Sequence, residues 1–106
     1  MQHITVEELK NRLDAGEQLN IIDVREPDEY AEANLGVQLI PLGNIMSMQL
    51  DPIEQFKDEE LIIHCRSGKR SMQACMMLEQ AGFTHTVNLT GGIMAWQDKF
   101  GNQKVK

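Results

Sequence analysis

Short apolar runs rich in β-branched residues alternate along this chain with segments of helical periodicity. The apolar runs cover residues 19–24, 39–41, 61–64 and 86–89. The helical segments between them cover residues 6–13, 27–33, 71–81 and 91–96, with one or two further turns between 44 and 56. Strands that alternate with helices indicate a parallel sheet covered by helices, with right-handed connections. We therefore predict an α/β fold.

Local signals mark where several of these helices begin and end. Thr5 and Glu8 have the spacing of a capping box, and Pro27 suits the first turn of the second helix. Gly82 is a typical helix stop. Asp51-Pro52 is predicted to interrupt the turns between 44 and 56, because proline lacks a backbone donor and disfavours helix in the residue before it.

Length and charge limit what the protein can be. A chain of 106 residues has room for one domain, which we place at residues 1–102, with a frayed tail at 103–106. The net charge of −6 argues against a nucleic-acid partner or an anionic membrane surface. We find no basic and apolar leader and no run of eighteen apolar residues. Two cysteines suit a reducing compartment, so we predict a cytoplasmic protein.

Cys65 stands where an apolar strand gives way to a helix. Ligands of parallel sheets gather at the carboxyl ends of the strands, which is where this thiol falls. Backbone N–H groups at a helix start are unpaired and carry partial positive charge. Such surroundings can lower a thiol pKa from about 8.5 to roughly 3.5–7.5. We therefore predict that Cys65 is a reactive thiolate.

The loop that follows Cys65 is cationic. Between residues 61 and 78 there is no acidic residue, whereas Arg66, Lys69 and Arg70 are all positive. Gly68 permits a left-handed backbone, which lets successive backbone N–H groups turn inward as an anion-binding nest. We expect at least one of the cations to face a bound anion, with Arg70 as the first choice. The loop from Arg66 to Ser71 therefore predicts a site for a small anion.

Other candidate residues are assigned structural roles. His64 precedes Cys65 in the strand, so its side chain points to the opposite face and is interpreted as packing. Cys75 lies on an apolar helix and is interpreted as core. A helix would separate the two sulfurs by roughly 15 Å, which argues against a disulfide. His3 and His85 lack metal-ligand spacing, so we predict no metal.

Two features stay open at this stage. Asp23 and Arg25 at the end of a strand form either a surface ion pair or a buried brace near the site, and the sequence does not favour one over the other. The seven methionines are most simply core residues. Met46 and Met48, in an irregular segment, are alternatively candidates for lining a pocket.

Three motifs in register resemble the single-domain rhodanese-like family, the thiosulfate sulfurtransferases. They are Asp23-Val24-Arg25-Glu26-Pro27 with Glu29-Tyr30, the loop from Cys65 to Ser71, and Gly91-Gly92-Ile93-Met94-Ala95-Trp96. The resemblance covers nearly the whole chain. It implies an α/β domain whose five-stranded, mostly parallel sheet is flanked by helices on both faces. One departure is the stretch from Ala33 to Gln38, where the family often has Gly-His-Ile-Pro-Gly-Ala.

The resemblance also implies a reaction. Cys65 would take a sulfane sulfur from thiosulfate or a related anionic donor, become a persulfide, and pass the sulfur to a thiol or cyanide. The loop amides from Arg66 to Ser71 would hold the persulfide and the donor's oxygens, with Asp23 and Arg25 in support. No cofactor is implied.

Two alternative functions remain beside thiosulfate sulfurtransferase activity. One is a persulfide carrier that relays sulfur between partner proteins. The other, less favoured, is a phosphatase or arsenate reductase that also uses a cysteine loop. Four residues separate Cys65 from Arg70, whereas the phosphatase signature has five, because a phosphoryl group needs a wider ring of donors.

Overall fold

The computed structural model describes residues 1–105 and contains one five-stranded sheet. Its strands are β1 (Gln2–Ile4), β2 (Ile21–Asp23), β3 (Gln38–Leu39), β4 (Glu60–His64) and β5 (His85–Leu89). The strands lie in the order β1-β5-β4-β2-β3, and every neighbouring pair is parallel. The predicted α/β fold with five strands is confirmed.

Helices cover both faces of the sheet. They are α1 (Val6–Asp14), α2 (Pro27–Glu32), α3 (Leu42–Met46), α4 (Lys69–Gln80) and α5 (Gly92–Phe100), with a 3₁₀ helix at Asp51–Phe56. Successive residues of β4 point to opposite faces. Leu61 and Ile63 therefore pack with residues of α3 and α4, while Ile62 packs with residues of α1 and α5. No helix among residues 1–105 is long and apolar enough to cross a membrane.

Two elements differ from the sequence-based prediction. Strand β1 was not predicted, because it is only three residues long and Ile4 is its one buried residue. The break predicted at Asp51-Pro52 falls earlier, at residues 47–50, where Met48 has a φ of 62°. Pro52 instead lies in the first turn of the 3₁₀ helix, where no donor is required of it.

The parallel register brings the carboxyl ends of the central strands together. Asp23 of β2 lies opposite His64 of β4, and Ile63 of β4 lies opposite Asn88 of β5. All four residues are buried. The loops that follow β2, β4 and β5 therefore meet at the carboxyl ends of these strands, and they carry the three motifs found in the sequence.

The C-terminal segment contacts the domain where the sequence predicted fraying. The Trp96 indole donates to the carbonyl of Gln103 at 2.6 Å, and the Val105 amide donates to Leu35 at 3.0 Å. The Lys104 ammonium donates to the side-chain oxygen of Asn34 at 3.0 Å. These contacts cover the atypical stretch after α2, so residues 103–105 are part of the fold. Lys106 lies outside the described residues.

Removing residues 103–106 should lower the free energy of unfolding by about 1–3 kcal/mol, because the buried Trp96 N–H loses its acceptor. Urea denaturation followed by the fluorescence of Trp96, the only tryptophan, measures this. The matched control is Gln103→Ala, which keeps the accepting carbonyl and should unfold close to wild type. Equal stability of the truncated and full-length chains would show that the tail contributes nothing.

Candidate active site

The sulfur of Cys65 is enclosed by hydrogen-bond donors from the loop that begins α4. The Gly68 amide lies 3.1 Å from Sγ, and the amide and hydroxyl of Ser71 each lie 3.4 Å away. Gly68 is the N-cap of α4 with a φ of 107°, a left-handed conformation that glycine adopts readily. We call these three groups the cradle. Its two amides belong to the start of α4, where backbone N–H groups have no hydrogen-bond partner within the helix.

The loop is held in this shape by the start of α5. The Ile93 amide donates to the Cys65 carbonyl at 2.9 Å, and the Met94 amide donates to the Arg66 carbonyl at 3.1 Å. In a trans peptide the N–H points away from the C=O. The N–H groups of the same peptide planes therefore point away from α5, and the Ser67 amide is among those that stabilise the thiolate.

Gly92 allows α5 to approach the loop so closely. A Cβ on Gly92, whose φ is +57°, would lie 2.3 Å from the Cys65 carbonyl oxygen. A Cβ on Gly91, whose φ is +81°, would instead lie 2.6 Å from the Cβ of Ala95 within α5 itself. Both distances are far inside van der Waals contact. Gly92 is thus required for the contact that orients the loop amides toward the sulfur, and Gly91 for the local start of α5.

Two opposing effects act on the Cys65 thiol. Burial would raise its pKa, since only 1% of the residue is exposed and the charged form is poorly solvated. Hydrogen bonds from Ser71, Gly68 and Ser67 to the sulfur outweigh burial and hold the pKa below the ordinary value of a thiol. The sulfur is buried, but its surroundings are polar peptide groups that favour the anion.

The three cations of the loop have different surroundings. Arg70 forms a bidentate ion pair with Glu29 of α2, at 2.6 and 2.8 Å, and this guanidinium lowers the pKa of the Glu29 carboxyl to about 2. Arg66 and Lys69 are exposed and form no ion pair with any side chain among residues 1–105. Arg70, the first choice for an anion ligand, is thus already engaged, and the unpaired positive charge lies on Arg66 and Lys69.

Asp23 and Arg25 form the buried brace that the sequence left undecided. The Arg25 guanidinium donates to the Asp23 carboxylate at 2.8 Å, and only 4% of Arg25 is exposed. The same guanidinium donates to the carbonyl of Ala33 at 2.8 Å, which ties the end of α2 to β2. The brace fixes the position of α2, whose Glu29 holds Arg70.

His64 is buried next to this brace. Its Nδ1 lies 3.2 Å from the Cys65 carbonyl, its Nε2 lies 3.6 Å from the Asp23 carboxylate, and burial lowers its pKa. The ring is fully buried and its Nε2 has no hydrogen-bond partner among residues 1–105, which agrees with the predicted packing role.

The remaining candidates lie away from the cradle. Cys75 packs in the same apolar cluster as Cys65, and burial raises its pKa to about 12, so it is a neutral thiol. Six of the seven methionines, Met46 and Met48 among them, are exposed, so the prediction that they are core residues is wrong. Among residues 1–105 no group of three His, Cys, Asp or Glu side chains is placed to hold a metal.

A cavity of about 570 Å³ lies beside the loop, between α2 and α5. Arg66 lines it together with Glu29 and Glu32 of α2 and with Met94 and Asp98 of α5. One unpaired cation of the loop thus faces a space that is large enough for a small organic molecule and lined by both signs of charge.

Asn88 belongs to the site although the sequence did not single it out. This residue of β5 is buried, and its Oδ1 accepts a hydrogen bond from the Ser71 hydroxyl. In the sequence, the sign of this role was a polar residue near the carboxyl end of the strand, next to the apolar residues Val87 and Leu89. Buried polar side chains are rarely without a specific partner.

Substituting Gly92 by alanine should push α5 away from the Cys65 carbonyl, destabilise the protein and raise the pKa of the thiol. Gly16→Ala is the matched control: Gly16 also has a positive φ, +86°, but nothing lies within 4 Å of its Cβ position. Both variants bear the left-handed strain of roughly 1–2 kcal/mol. We expect Gly92→Ala to lose about 1–3 kcal/mol more, from overpacking.

Chemical denaturation and the pH dependence of iodoacetamide alkylation measure these two effects. If Gly92→Ala and Gly16→Ala were equally stable, or if alkylation of the Gly92 variant kept its wild-type pH dependence, the α5 contact would not aim the loop amides.

Comparison with known proteins places this site in a family. The profile of the rhodanese-like domain matches residues 5–99. A protein of Allochromatium vinosum named sulfurtransferase is 39% identical over 99 residues, which cover 91% of this chain and 88% of the relative. A Bacillus subtilis protein, YrkF, provisionally named a sulfur carrier protein, is 37% identical over 97 residues, or 91% of this chain and 51% of the relative.

A solved structure shows the same fold. The crystal structure of a rhodanese-like domain protein from Staphylococcus aureus superposes with a TM-score of 0.77 at 37% identity, covering 91% of each chain. The residues that the profile matches include the cysteine loop and the Gly91-Gly92 segment. The chain therefore belongs to the rhodanese-like family of sulfurtransferases.

Proposed function

We propose that this protein is a thiosulfate sulfurtransferase, which moves a sulfane sulfur from thiosulfate or a related anionic donor to a thiophilic acceptor through a persulfide on Cys65. The observation that carries the proposal is the set of Gly68 and Ser71 donors at 3.1 to 3.4 Å from the sulfur. Such donors favour a thiolate and stabilise the negative charge that a transferred sulfur carries.

The first half-reaction loads the enzyme. The Cys65 thiolate attacks the outer sulfur of thiosulfate and forms a new S–S bond, while the bond to the oxidised sulfur breaks and its electron pair leaves with sulfite. No proton is transferred, so no general base is needed. Arg66 and Lys69 attract the anionic donor, and the loop amides stabilise the persulfide anion.

The second half-reaction returns the sulfur. A thiolate or cyanide acceptor attacks the outer persulfide sulfur, and the electron pair of the broken S–S bond returns to Cys65. The acceptor leaves as a persulfide or as thiocyanate. Because the enzyme is covalently modified between the two half-reactions, ping-pong kinetics are expected.

The tight cradle supports sulfur transfer over phosphoryl or arsenate chemistry. Its donors lie within 3.4 Å of a single atom, and Arg70, which a phosphatase would turn toward the anion, is bound to Glu29. A persulfide carrier would use the same Cys65 chemistry, and the similarity to YrkF supports it as a second candidate. The two candidates differ in whether free thiosulfate suffices as the donor.

Incubation with thiosulfate should add one sulfur atom to Cys65, and cyanide or a small thiol should then remove it. Intact-protein mass spectrometry follows both steps. Cys65→Ser should abolish loading. Cys75→Ser, which replaces a buried neutral thiol, is the matched control and should load like wild type.

Loading of the Cys65→Ser variant would refute the nucleophile assignment. Loading of the wild type by a persulfide-bearing protein donor, but not by thiosulfate, would favour the carrier. Loss of loading in Cys75→Ser would show that the second cysteine takes part in the chemistry.

The pH dependence of the thiol follows from its lowered pKa. A cysteine whose pKa is depressed is a thiolate at any pH above that value, so alkylation by iodoacetamide should already be near its maximum below pH ~8.5. The rate should fall only as the pH drops through the depressed pKa. A midpoint at or above ~8.5 would contradict the stabilisation of the thiolate by the loop.

A further inference from the structure

A series of hydrogen-bonded polar side chains connects the reactive sulfur of Cys65 with the edge strand β1. The Ser71 hydroxyl lies 3.4 Å from Cys65 Sγ and also contacts Asn88 Oδ1. At the other end of the Asn88 amide, Nδ2 lies 3.4 Å from Nδ1 of His3 on the edge strand β1. Cys65, Ser71 and Asn88 are each at most 3% exposed, so water does not replace these partners.

The single proton of the Ser71 hydroxyl cannot serve both neighbours. A hydroxyl donates once and accepts through its lone pairs. If the proton points to Asn88 Oδ1, the sulfur faces a lone pair and is best satisfied as a thiol that donates to Oγ, since either atom of the Sγ–Oγ contact can be the donor. A thiolate requires the opposite direction, with the hydroxyl donating to sulfur and accepting from another group.

Asn88 can provide both directions without moving its backbone. An amide turned over about its terminal bond exchanges Oδ1 and Nδ2 in nearly the same space. In that orientation Nδ2 donates to Ser71 Oγ, which releases the hydroxyl proton to the sulfur, and Oδ1 faces His3. Nδ1 of His3 accepts from Nδ2 in one tautomer of the ring and donates to Oδ1 in the other, so both orientations are satisfied.

We propose that Asn88 is a positioning residue of the active site, whose amide sets the direction of the Ser71 hydroxyl and thereby determines whether the Cys65 sulfur donates or receives a hydrogen bond. This proposal rests on the proposed function, in which the Cys65 thiolate is the nucleophile. The amide acts on the attacking sulfur through the Ser71 hydroxyl, and its own hydrogen-bond partners are Ser71 and His3.

The ionisable groups near Cys65, Ser71 and Asn88 are paired, held neutral or separated from the sulfur. The Ser71 hydroxyl is therefore the contact of the sulfur whose direction can change. Arg70 of α4 is paired with Glu29, and Cys75 of α4 is held neutral by burial. His64 of β4 is also held neutral by burial, and it faces Asp23 of β2. His3 of β1 reaches the sulfur only through Asn88 and Ser71.

Asn88→Asp tests the proposal with almost no change in shape. A carboxylate only accepts, so it retains the Ser71 proton and also places a negative charge near the thiolate. The midpoint of iodoacetamide alkylation should move up by at least about one pH unit, which slows alkylation roughly tenfold at pH values well below both midpoints. The limiting rate at alkaline pH should stay close to wild type.

Asn88→Ala should act in the opposite direction. Without the amide acceptor the Ser71 hydroxyl is free to donate to sulfur, so the midpoint should stay at or below the wild-type value. A merely structural role predicts that both Asn88 variants disturb the loop and raise the midpoint. A raised midpoint in Asn88→Ala would therefore overturn the proposal, even if Asn88→Asp failed to fold.

The Ser71→Ala background distinguishes the effect of the Ser71 hydroxyl from the effect of the charge that Asn88→Asp adds. In that background Asn88→Asp can act only through charge, so its shift of the midpoint should be clearly smaller than in wild type, and a double-mutant cycle gives the difference. Equal shifts in the two backgrounds would show that Asn88 does not act through Ser71.

Thr86→Val is the matched control, since Thr86 is buried on the same face of β5 two residues earlier. It should leave the alkylation midpoint unchanged, and thermal unfolding checks the fold of each variant. Alkylation reports the thiolate whether or not sulfur is transferred. If Cys65→Ser still loaded sulfur while these shifts held, the proposed function would fail and the role of Asn88 would stand.

Discussion

The site depends on one contact, between the first amides of α5 and the carbonyls of the cysteine loop. Ile93 and Met94 bind the Cys65 and Arg66 carbonyls, so these oxygens point away from the sulfur and the amide hydrogens of the loop point inward. A reversed peptide would place a partial negative charge against the sulfur and oppose ionisation. The anion-stabilising property of the loop is therefore a consequence of how α5 docks, and docking is possible only because position 92 has no Cβ.

Neutral dipoles lie next to the sulfur of Cys65, and charged side chains lie farther from it. Next to the sulfur there are only neutral dipoles, the amides of Gly68 and Ser71, which stabilise an anion without forming a fixed ion pair with it. Full charges lie farther out, where Glu29 neutralises Arg70 while Arg66 and Lys69 form no ion pair within the described part of the chain. A cation in direct contact with the thiolate would stabilise the resting nucleophile strongly and make it less reactive. In the proposed reaction, dipoles close to the sulfur and cations at a distance attract an anionic donor and leave the sulfur able to attack.

The sequence predicted the part of the fold that depends on local patterns. Four strands, the position of Cys65 before a helix and the nest at Gly68 followed from apolar runs and glycine, whereas β1 was missed because three residues with one buried side chain carry no periodicity. The pairing of Arg70 with Glu29 could not be predicted. The two residues lie 41 positions apart in the sequence, and only the tertiary fold places α2 beside the start of α4. The hydrogen bond from Trp96 to the C-terminal segment could not be predicted for the same reason: a polar sequence gives no sign that the Gln103 carbonyl is the acceptor for a buried indole.

The burial of Cys65 limits which sulfur donors the proposed cycle can use. With 1% of the residue exposed, the thiolate can be reached only by a narrow group, such as a terminal sulfur carried at the end of an anion or of a flexible chain. Once loaded, the outer sulfur is one bond farther from the backbone than Sγ, and the acceptor needs to reach only that atom. The donor's leaving atom and the acceptor's attacking atom both lie on the far side of the transferred sulfur, so the two half-reactions meet the same steric limit, and each partner must place one narrow group in the site.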